Sequence, residues 1–213
     1  MDALDQSVPR RTYHHGDLRR ALLDAGIALA RIGGPDAVVL REATRRAGVV
    51  PNAAYRHFAS RDALLQAVRA AALAALAVAM ERELSRAERG FAGGELARAS
   101  LRAIGAAYLR FAHREPGLFR TAFSVPGDPA TAGTPAMAGR SGLNPFQLLG
   151  VALDRMADSG LLPPDRRAGA EYLAWSAVHG LAMLVLEGPL KPLPHTQIRA
   201  IEQRLLAMVE QGL

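Results

Sequence analysis

Apolar residues recur every three or four positions along most of the chain, which is the spacing of one face of an α-helix. The first such run predicts a helix that starts after an N-cap at Asp17 and ends at the Gly33-Gly34-Pro35 break. Its inward positions are Leu18, Leu22, Ala25, Leu29 and Ile32. The pattern therefore predicts a long amphipathic helix as the first element of the chain.

Two short helices are predicted next. Residues 39–47 form one, with Leu40, Ala43 and Ala47 inward, and Gly48 is placed to end it in a left-handed conformation. Pro51 suits the first turn of the following helix, of seven or eight residues, because its missing N–H would have no partner there. So short a helix is unstable alone and needs tertiary contacts.

Longer helices fill the rest of the chain. Ser60 is a suitable N-cap for a helix that runs to about Arg89, and a break at 90–94 separates it from the next helix. The remaining helices are predicted at 96–113, 118–123, 145–159, 165–187 and 196–211. Residues 124–143, rich in Pro, Gly and Ala, predict a mobile surface loop. We expect an all-α fold of about nine helices.

Composition narrows the class of protein. Half of the 213 residues are apolar and none is cysteine, which excludes disulfides and thiolate metal sites. The N-terminus lacks the apolar region of a signal peptide, and no uncharged apolar run reaches the ~20 residues of a membrane span, the nearest being 172–186. We expect a cytoplasmic protein with no membrane partner.

Positive charge is concentrated around the two short helices. The net charge is +6, and residues 41–61 contain five arginines and one acid, a local balance of +4. In the second short helix, Ala54 and Phe58 share one side, while Asn52 and Arg56 point away from it. Two short helices with a basic, aromatic outer face are typical of a DNA-binding helix-turn-helix, although an ordinary helical corner has the same outline.

The segment LREATRRAGVVPNAAYRHFASRDALL resembles the helix-turn-helix of the TetR family of bacterial transcriptional regulators. Matching residues at the family's spacing are Tyr55, His57, Phe58, Ser60, Leu64 and Leu65. YHHGDLRRALLDAG and FAHREPGLFRTAF resemble two further parts of the family pattern. The resemblance implies a three-helix DNA-binding domain at 1–60 and a helical effector-binding and dimerisation domain at 61–213.

The resemblance also implies which residues contact double-stranded DNA. Pro51, Asn52 and Ala53 are expected at base edges, and Tyr55, His57 and Arg61 at phosphates. Arg41 and Arg56 are further candidates. For Tyr55 and His57 the alternative is a role in helix packing.

Some residues depart from the family pattern. Val39 stands where a Ser or Thr usually caps the first short helix, and Asp36 is a candidate replacement. Residues 8–15 add Arg10 and Arg11, either as an arm that touches DNA or as a solvated tail.

The C-terminal helices resemble the dimerisation region of the family. Residues 165–187 are apolar nearly all round and 196–211 carry an apolar stripe, so both helices must be covered by the chain itself or by a second copy. The resemblance implies a homodimer through these helices. AWSAVHGLAMLVLEGPL is similar to a WHG-type C-terminal domain, in which Gly180 would let another helix approach closely.

By resemblance, the C-terminal domain encloses an unidentified small, largely apolar effector. Candidate pocket residues are Leu101, Ile104, Tyr108, Phe111, Trp175 and His179. Most of them are also what a plain core would contain, and His179 is either a polar group in a pocket or a hydrogen-bonded core histidine. The implied function is a repressor that binds a near-palindromic operator and is released by the effector.

Two other classes of function compete with this one. A non-specific DNA-coating protein without effector would use the same basic surface. A helical enzyme is disfavoured, because the chain has no Cys nucleophile, no H-E-x-x-H or paired-histidine spacing and no Gly-rich phosphate loop. We expect no enzymatic activity, no cofactor and no metal.

Overall fold

The computed structural model describes residues 15–124 and 134–213, except for the side chains of residues 15–17 and 51. Within these ranges the chain forms ten α-helices and no strand. They are α1 (His15–Gly33), α2 (Leu40–Ala47), α3 (Pro51–Tyr55), α4 (Arg61–Gly90), α5 (Gly93–Arg114), α6 (Pro116–Ala122), α7 (Pro145–Asp158), α8 (Pro164–Arg167), α9 (Ala170–Leu186) and α10 (His195–Gly212). Single 3-10 turns lie at Pro35–Ala37 and Pro135–Met137. The all-α fold is confirmed.

Several local expectations were wrong. Ile32, expected on the inward side of α1, is 74% exposed. The helix expected at 165–187 is divided into α8 and α9 by Gly169, whose φ of 79° lies in the left-handed region that ends a helical run. Asp17 lies inside α1 and is not its N-cap. The second short helix, α3, has five residues rather than seven or eight.

The 30-residue helix α4 lies at the centre of the fold. Ser60 caps it as expected, since its hydroxyl accepts a hydrogen bond of 3.1 Å from the backbone N–H of Ala63. It packs against α1, α5, α6 and α7. In the described part of the chain it is the one helix long and apolar enough to cross a membrane by length and composition, although it contains Arg69, and α9 is apolar but shorter. Its place in the core accounts for that composition.

The first three helices form a small bundle on one end of α4. α1 packs against α2, α3, α4 and α6. The buried apolar side chains of this bundle, among them Leu22, Ala43 and Phe58, continue without a break into the core around α5.

A close contact joins this bundle to α6. Gly117, near the start of α6, lies against the backbone of α1 so tightly that a Cβ atom there would overlap the carbonyl oxygens of Ala30 and Arg31. Beside it, Arg31 and Glu115 form an ion pair of 3.1 Å. Position 117 therefore has room only for glycine.

α5 and α10 make a second close contact. A Cβ atom on Gly105 would overlap the Leu206 side chain, whereas one on Gly180 would meet nothing within 4 Å. No described helix of the same chain therefore approaches Gly180 closely, and Gly105 is the glycine at the contact of α5 with α10. Nearby, the buried Glu210 carboxylate on α10 accepts hydrogen bonds from Arg98, at 2.9 Å, and from Arg102. These bonds hold α10 on α5.

Candidate functional site

The turn between α2 and α3 is closed by backbone hydrogen bonds. Gly48 has a φ of 68°, and its N–H donates to the Arg45 carbonyl oxygen. The Val49 N–H then donates to the Thr44 carbonyl oxygen at 3.0 Å. Gly48 therefore ends α2 as expected and sets the direction of α3.

Two side chains hold α3 on the bundle. Ala54 is fully buried and Phe58 is 2% exposed, and both belong to the core. The Arg19 guanidinium lies 5.1 Å from the centre of the Phe58 ring, within the range of a cation–π contact. The expected anchors are confirmed, and they account for the stability of so short a helix.

The opposite face of α3 is open to solvent. Asn52 and Arg56 are exposed, Tyr55 is 58% exposed, and Ala53 and His57 are partly buried. The side chain of Pro51, which is expected at a base edge, is not among the described side chains. The arm that contains Arg10 and Arg11 lies outside the described residues. The described face offers amide, phenol and guanidinium groups, which suit base edges and phosphates.

The arginines around this face differ in their availability. Glu42 binds Arg45 at 2.6 Å and Arg46 at 3.3 Å, and the hydrogen bond from Arg45 is the main reason that the pKa of Glu42 falls to about 2. By contrast, Arg41 and Arg56 are exposed and make no ion pair with any described residue. These two carry the unneutralised charge next to the helix-turn-helix.

Arg61 is engaged within the protein. Its Nε donates to the Val38 carbonyl oxygen at 3.0 Å, and its Nη2 donates to the Pro35 carbonyl oxygen at 2.9 Å. Asp36 does not cap α2, because its side chain is fully exposed and lies 4.0 Å from Arg61. The sequence pattern predicted a cation at position 61 but not these two acceptors, which are 23 and 26 residues away.

A cavity of about 300 Å³ lies among α4, α5, α7, α9 and α10. Five of the six candidate pocket residues line it: Leu101, Ile104, Tyr108, Trp175 and His179. Phe111 does not, since it is buried one turn beyond Tyr108 along α5. The volume is at the lower end of the range typical of small-molecule sites.

Three lining residues form a chain of hydrogen bonds. Trp175 Nε1 donates to the Tyr108 hydroxyl at 3.1 Å, and that hydroxyl lies 2.7 Å from His179 Nδ1. Burial raises the pKa of Tyr108, and burial lowers the pKa of His179, so both side chains are held neutral. His179 is thus both hydrogen-bonded and part of a cavity wall, which combines the two alternatives left open by the sequence.

Several lining residues were not expected from the sequence. Phe123, Phe146 and Met137 add apolar wall, and Arg69 adds a cation from α4. Arg69 is the one charged residue in the apolar run 63–80. A single charged residue in such an apolar run is the sequence signal that marks Arg69 as a candidate cavity residue.

Large apolar side chains are exposed on α9, and one is exposed on α10. Leu173, Gly180 and Leu184 fall within about 40° of one another around α9. Leu173 is 66% exposed and Leu184 44%, and Met208 on α10 is 59% exposed. We call this the α9–α10 face.

The fold and these features define a class before any comparison. A helix-turn-helix whose second helix presents an exposed polar face, mounted on a helical body, is the architecture of a DNA-binding regulator. Among the described residues, no cluster of three His, Cys, Asp or Glu side chains has metal-binding geometry.

Comparison with known families agrees with this class. Residues 101–209 match the profile described as "Tetracyclin repressor-like, C-terminal domain" and residues 22–68 match "Bacterial regulatory proteins, tetR family". The chain belongs to the TetR family. It is therefore a DNA-binding transcriptional regulator, with the fold of a non-enzymatic protein.

Solved structures share the whole architecture. A protein of unknown function from Rhodococcus sp. RHA1 is 27% identical, with a TM-score of 0.74 over 96% of this chain and 99% of that chain. A TetR-family transcriptional regulator from Pectobacterium atrosepticum is 20% identical, with a TM-score of 0.62 over 96% of each chain. PfmR, a TetR-family transcriptional regulator from Thermus thermophilus, is 19% identical, with a TM-score of 0.57 over 91% of this chain and 95% of that chain. No curated protein matches the chain significantly.

Proposed function

We propose that the protein is a repressor that binds a near-palindromic operator as a homodimer and leaves it when a small, largely apolar effector binds. The observation that carries the proposal is α3 itself, which is anchored through Ala54 and Phe58 and presents Asn52, Tyr55 and Arg56 to solvent. A rigid, exposed polar face on a second short helix is what major-groove binding needs.

The contacts with DNA divide into two kinds. Pro51, Asn52 and Ala53 meet base edges, where the Asn52 amide has the donor and acceptor that adenine requires. Phosphates are held by the remaining candidates: Arg41, Tyr55, Arg56, His57 and Arg61. Arg61 does so with the part of its guanidinium that is not bonded to the Val38 and Pro35 carbonyl oxygens.

Dimerisation uses the α9–α10 face, within the expected segments 165–187 and 196–211. The exposed Leu173, Leu184 and Met208 support it, because apolar side chains of this size gathered on two neighbouring helices favour burial against a second copy. Gly180, which meets nothing within the chain, leaves space for a helix of the partner.

The effector occupies the cavity lined by Tyr108, Trp175 and His179. In this scheme residues 1–60 are the DNA-binding domain and 61–213 the effector-binding and dimerisation domain, and the protein acts in the cytoplasm. Helix α4 belongs to the second domain and begins directly after the first, so a shift of α4 changes the separation of the two α3 helices in the dimer.

A non-specific DNA-coating protein is the second candidate, and the cavity argues for the regulator, since a coating protein has no use for one. The test is footprinting and titration of the purified protein on DNA that flanks its own gene, at about 150 mM salt. A regulator protects a near-palindrome and binds it roughly a thousandfold more tightly than unrelated DNA. Equal binding to all DNA, with a steep salt dependence, would favour the coating protein.

A further inference from the structure

Among the described residues, the cavity wall has positively charged side chains and no negatively charged one. Arginines 69 and 102 line the cavity, and no Asp or Glu is among the described lining residues. The other polar lining groups are on the side chains of Tyr108, Asn144, Trp175, Ser176 and His179. Which of these groups has hydrogen-bonding capacity left over determines what the cavity recognises.

Most of them are already committed within the protein. Arg102 is bonded to the Glu210 carboxylate. Asn144 Oδ1 accepts from the Gln147 backbone N–H at 2.9 Å as the cap of α7, while the amide N–H groups of the Asn144 side chain bond to no described residue. The Ser176 hydroxyl donates to the Tyr172 carbonyl oxygen at 2.6 Å. These three donors and acceptors stabilise the walls of the cavity.

His179 has one ring nitrogen left, and the network determines its proton. The indole N–H of Trp175 can only donate, so the Tyr108 oxygen accepts from it, and the phenol proton is satisfied only by donating to His179 Nδ1. Because the ring is neutral, its single proton then lies on Nε2. No described residue bonds to Nε2, so His179 presents an N–H donor.

Arg69 also has free donors. Its Nε donates to the Ala122 carbonyl oxygen at 3.1 Å, which fixes the side chain between α4 and the end of α6. Its two terminal nitrogens make no hydrogen bond or ion pair with any described residue, and its charge is permanent. The cavity therefore has a cation without a described counter-ion.

We propose that the effector, in the function proposed above, is a small apolar carboxylate whose anionic end is bound by Arg69 and His179 and whose hydrocarbon body fills the rest of the cavity. The free groups, on Arg69, His179 and the Asn144 amide, are all donors, which fits an acceptor-only carboxylate and disfavours a cation or a donor-rich ligand. The apolar wall of Leu73, Ile104, Leu149 and Trp175 accounts for the hydrocarbon part.

The test uses two probes of the same shape, octanoate and octanamide. Trp175 is the single tryptophan of the chain and lines the cavity, so its fluorescence reports occupancy directly. We expect octanoate to bind at least about tenfold more tightly than octanamide, because a charge-assisted pair with arginine is stronger than a neutral hydrogen bond. Equal affinities, or no response of Trp175 to either probe, would overturn the proposal.

Variants separate the contributions of Arg69 and His179. Arg69→Met is expected to abolish the preference by weakening octanoate far more than octanamide, while Arg69→Lys keeps several-fold preference because it retains the charge. His179→Phe is expected to weaken both probes, since both carry a carbonyl oxygen. The matched control is Arg82→Met, on the exposed side of the same helix, which leaves the preference as in the wild type. A preference that survives in Arg69→Met would exclude Arg69 as the anion-binding group.

Operator binding, measured on the same preparations without probe, tests the proposed function separately. If the protein binds DNA specifically but the probe experiment fails, only the proposal of a carboxylate effector is rejected. A preference for octanoate in a protein that shows no specific DNA binding would leave the carboxylate site standing and reject the repressor.

Discussion

Arg61 Nε lies 3.0 Å from the carbonyl oxygen of Val38, and this hydrogen bond ties the first residue of α4 to the segment that leads into α2. The bond from Nη2 to the Pro35 carbonyl oxygen adds a second tie to the same segment. The arginine expected at a phosphate is thus also a structural link between the helix-turn-helix and the helix that follows it.

Arg61→Ala is therefore expected to lower stability as well as DNA affinity. Loss of the two hydrogen bonds should reduce the free energy of unfolding by about 1–3 kcal/mol, measured by urea denaturation. Arg56→Ala is the control, since this exposed arginine has no ion pair among the described residues and its loss should change stability by less than about 0.5 kcal/mol. Both variants should weaken binding to all DNA sequences alike. Unchanged stability in Arg61→Ala would show that the two carbonyl contacts contribute nothing.

The two faces of α3 predict opposite effects of two aromatic truncations. Phe58→Ala should reduce the free energy of unfolding by about 3–5 kcal/mol, because Phe58 is buried in the bundle. Tyr55→Ala should leave unfolding within about 0.5 kcal/mol of the wild type and weaken operator binding, because Tyr55 is largely exposed. Thermal or urea unfolding combined with DNA titration checks both. Similar stability losses in the two variants would mean that α3 is oriented differently.

His179 predicts a dependence of stability on pH. Burial lowers the pKa of His179 in the folded protein, so above about pH 6.5 its contribution is complete. As the pH falls from there through the lowered folded pKa, the unfolded chain takes up a proton that the folded chain does not, and the free energy of unfolding decreases. The stability difference between wild type and His179→Gln should thus shrink between pH 7.5 and 5. The exposed His195→Gln serves as control. A difference that stays constant with pH would contradict the lowered pKa.

Replacement of Glu210, the buried carboxylate on α10, is predicted to lower the stability of the protein. Glu210→Gln should cost about 1–3 kcal/mol at neutral pH, because it leaves the charges of Arg98 and Arg102 without their buried partner. The hydrogen bond from Arg102 is the main cause of the lowered pKa of Glu210. The cost should therefore persist above about pH 4.3 and vanish as the pH falls through the lowered value. Glu88→Gln, in an exposed pair with Arg155, should cost at most about 1 kcal/mol at any pH.

The α9–α10 face predicts a monomeric variant. Leu173→Glu combined with Leu184→Glu should convert the proposed dimer to a monomer in sedimentation experiments, because the new carboxylates would be buried in the proposed interface. Operator affinity should fall with it. Ile32→Glu changes an equally exposed apolar residue, 74% exposed on α1, and should leave the dimer intact. A double variant that remains dimeric would place the interface elsewhere.

Periodicity predicted most helices because each one buries a stripe of apolar side chains. The ends that it missed depend on backbone conformation. Gly169 stands in a region whose helical pattern continues past it, and the extended backbone of Ala168 together with the positive φ of Gly169 divides α8 from α9. Similarly, the spacing of Asp17 suits a cap, but α1 already includes it.

The site was only partly predictable for a different reason. The anchors Ala54 and Phe58 follow from spacing along one helix, whereas the acceptors of Arg61 and the cavity position of Arg69 depend on which helices meet. Apolar spacing also does not distinguish a side chain that lines a cavity from one that is packed, which is why Phe111 was grouped with Tyr108.

The contact of Gly117 with Ala30 has a mechanical consequence. Because there is no space for even a methyl group between α6 and the backbone of α1, the two helices are packed tightly against each other at this point. Phe123, directly after α6, lines the cavity, and the Arg69 bond to Ala122 is made at the same end. We therefore expect a displacement of α6 at this end to move α1 as well, together with α2 and α3, which pack against α1.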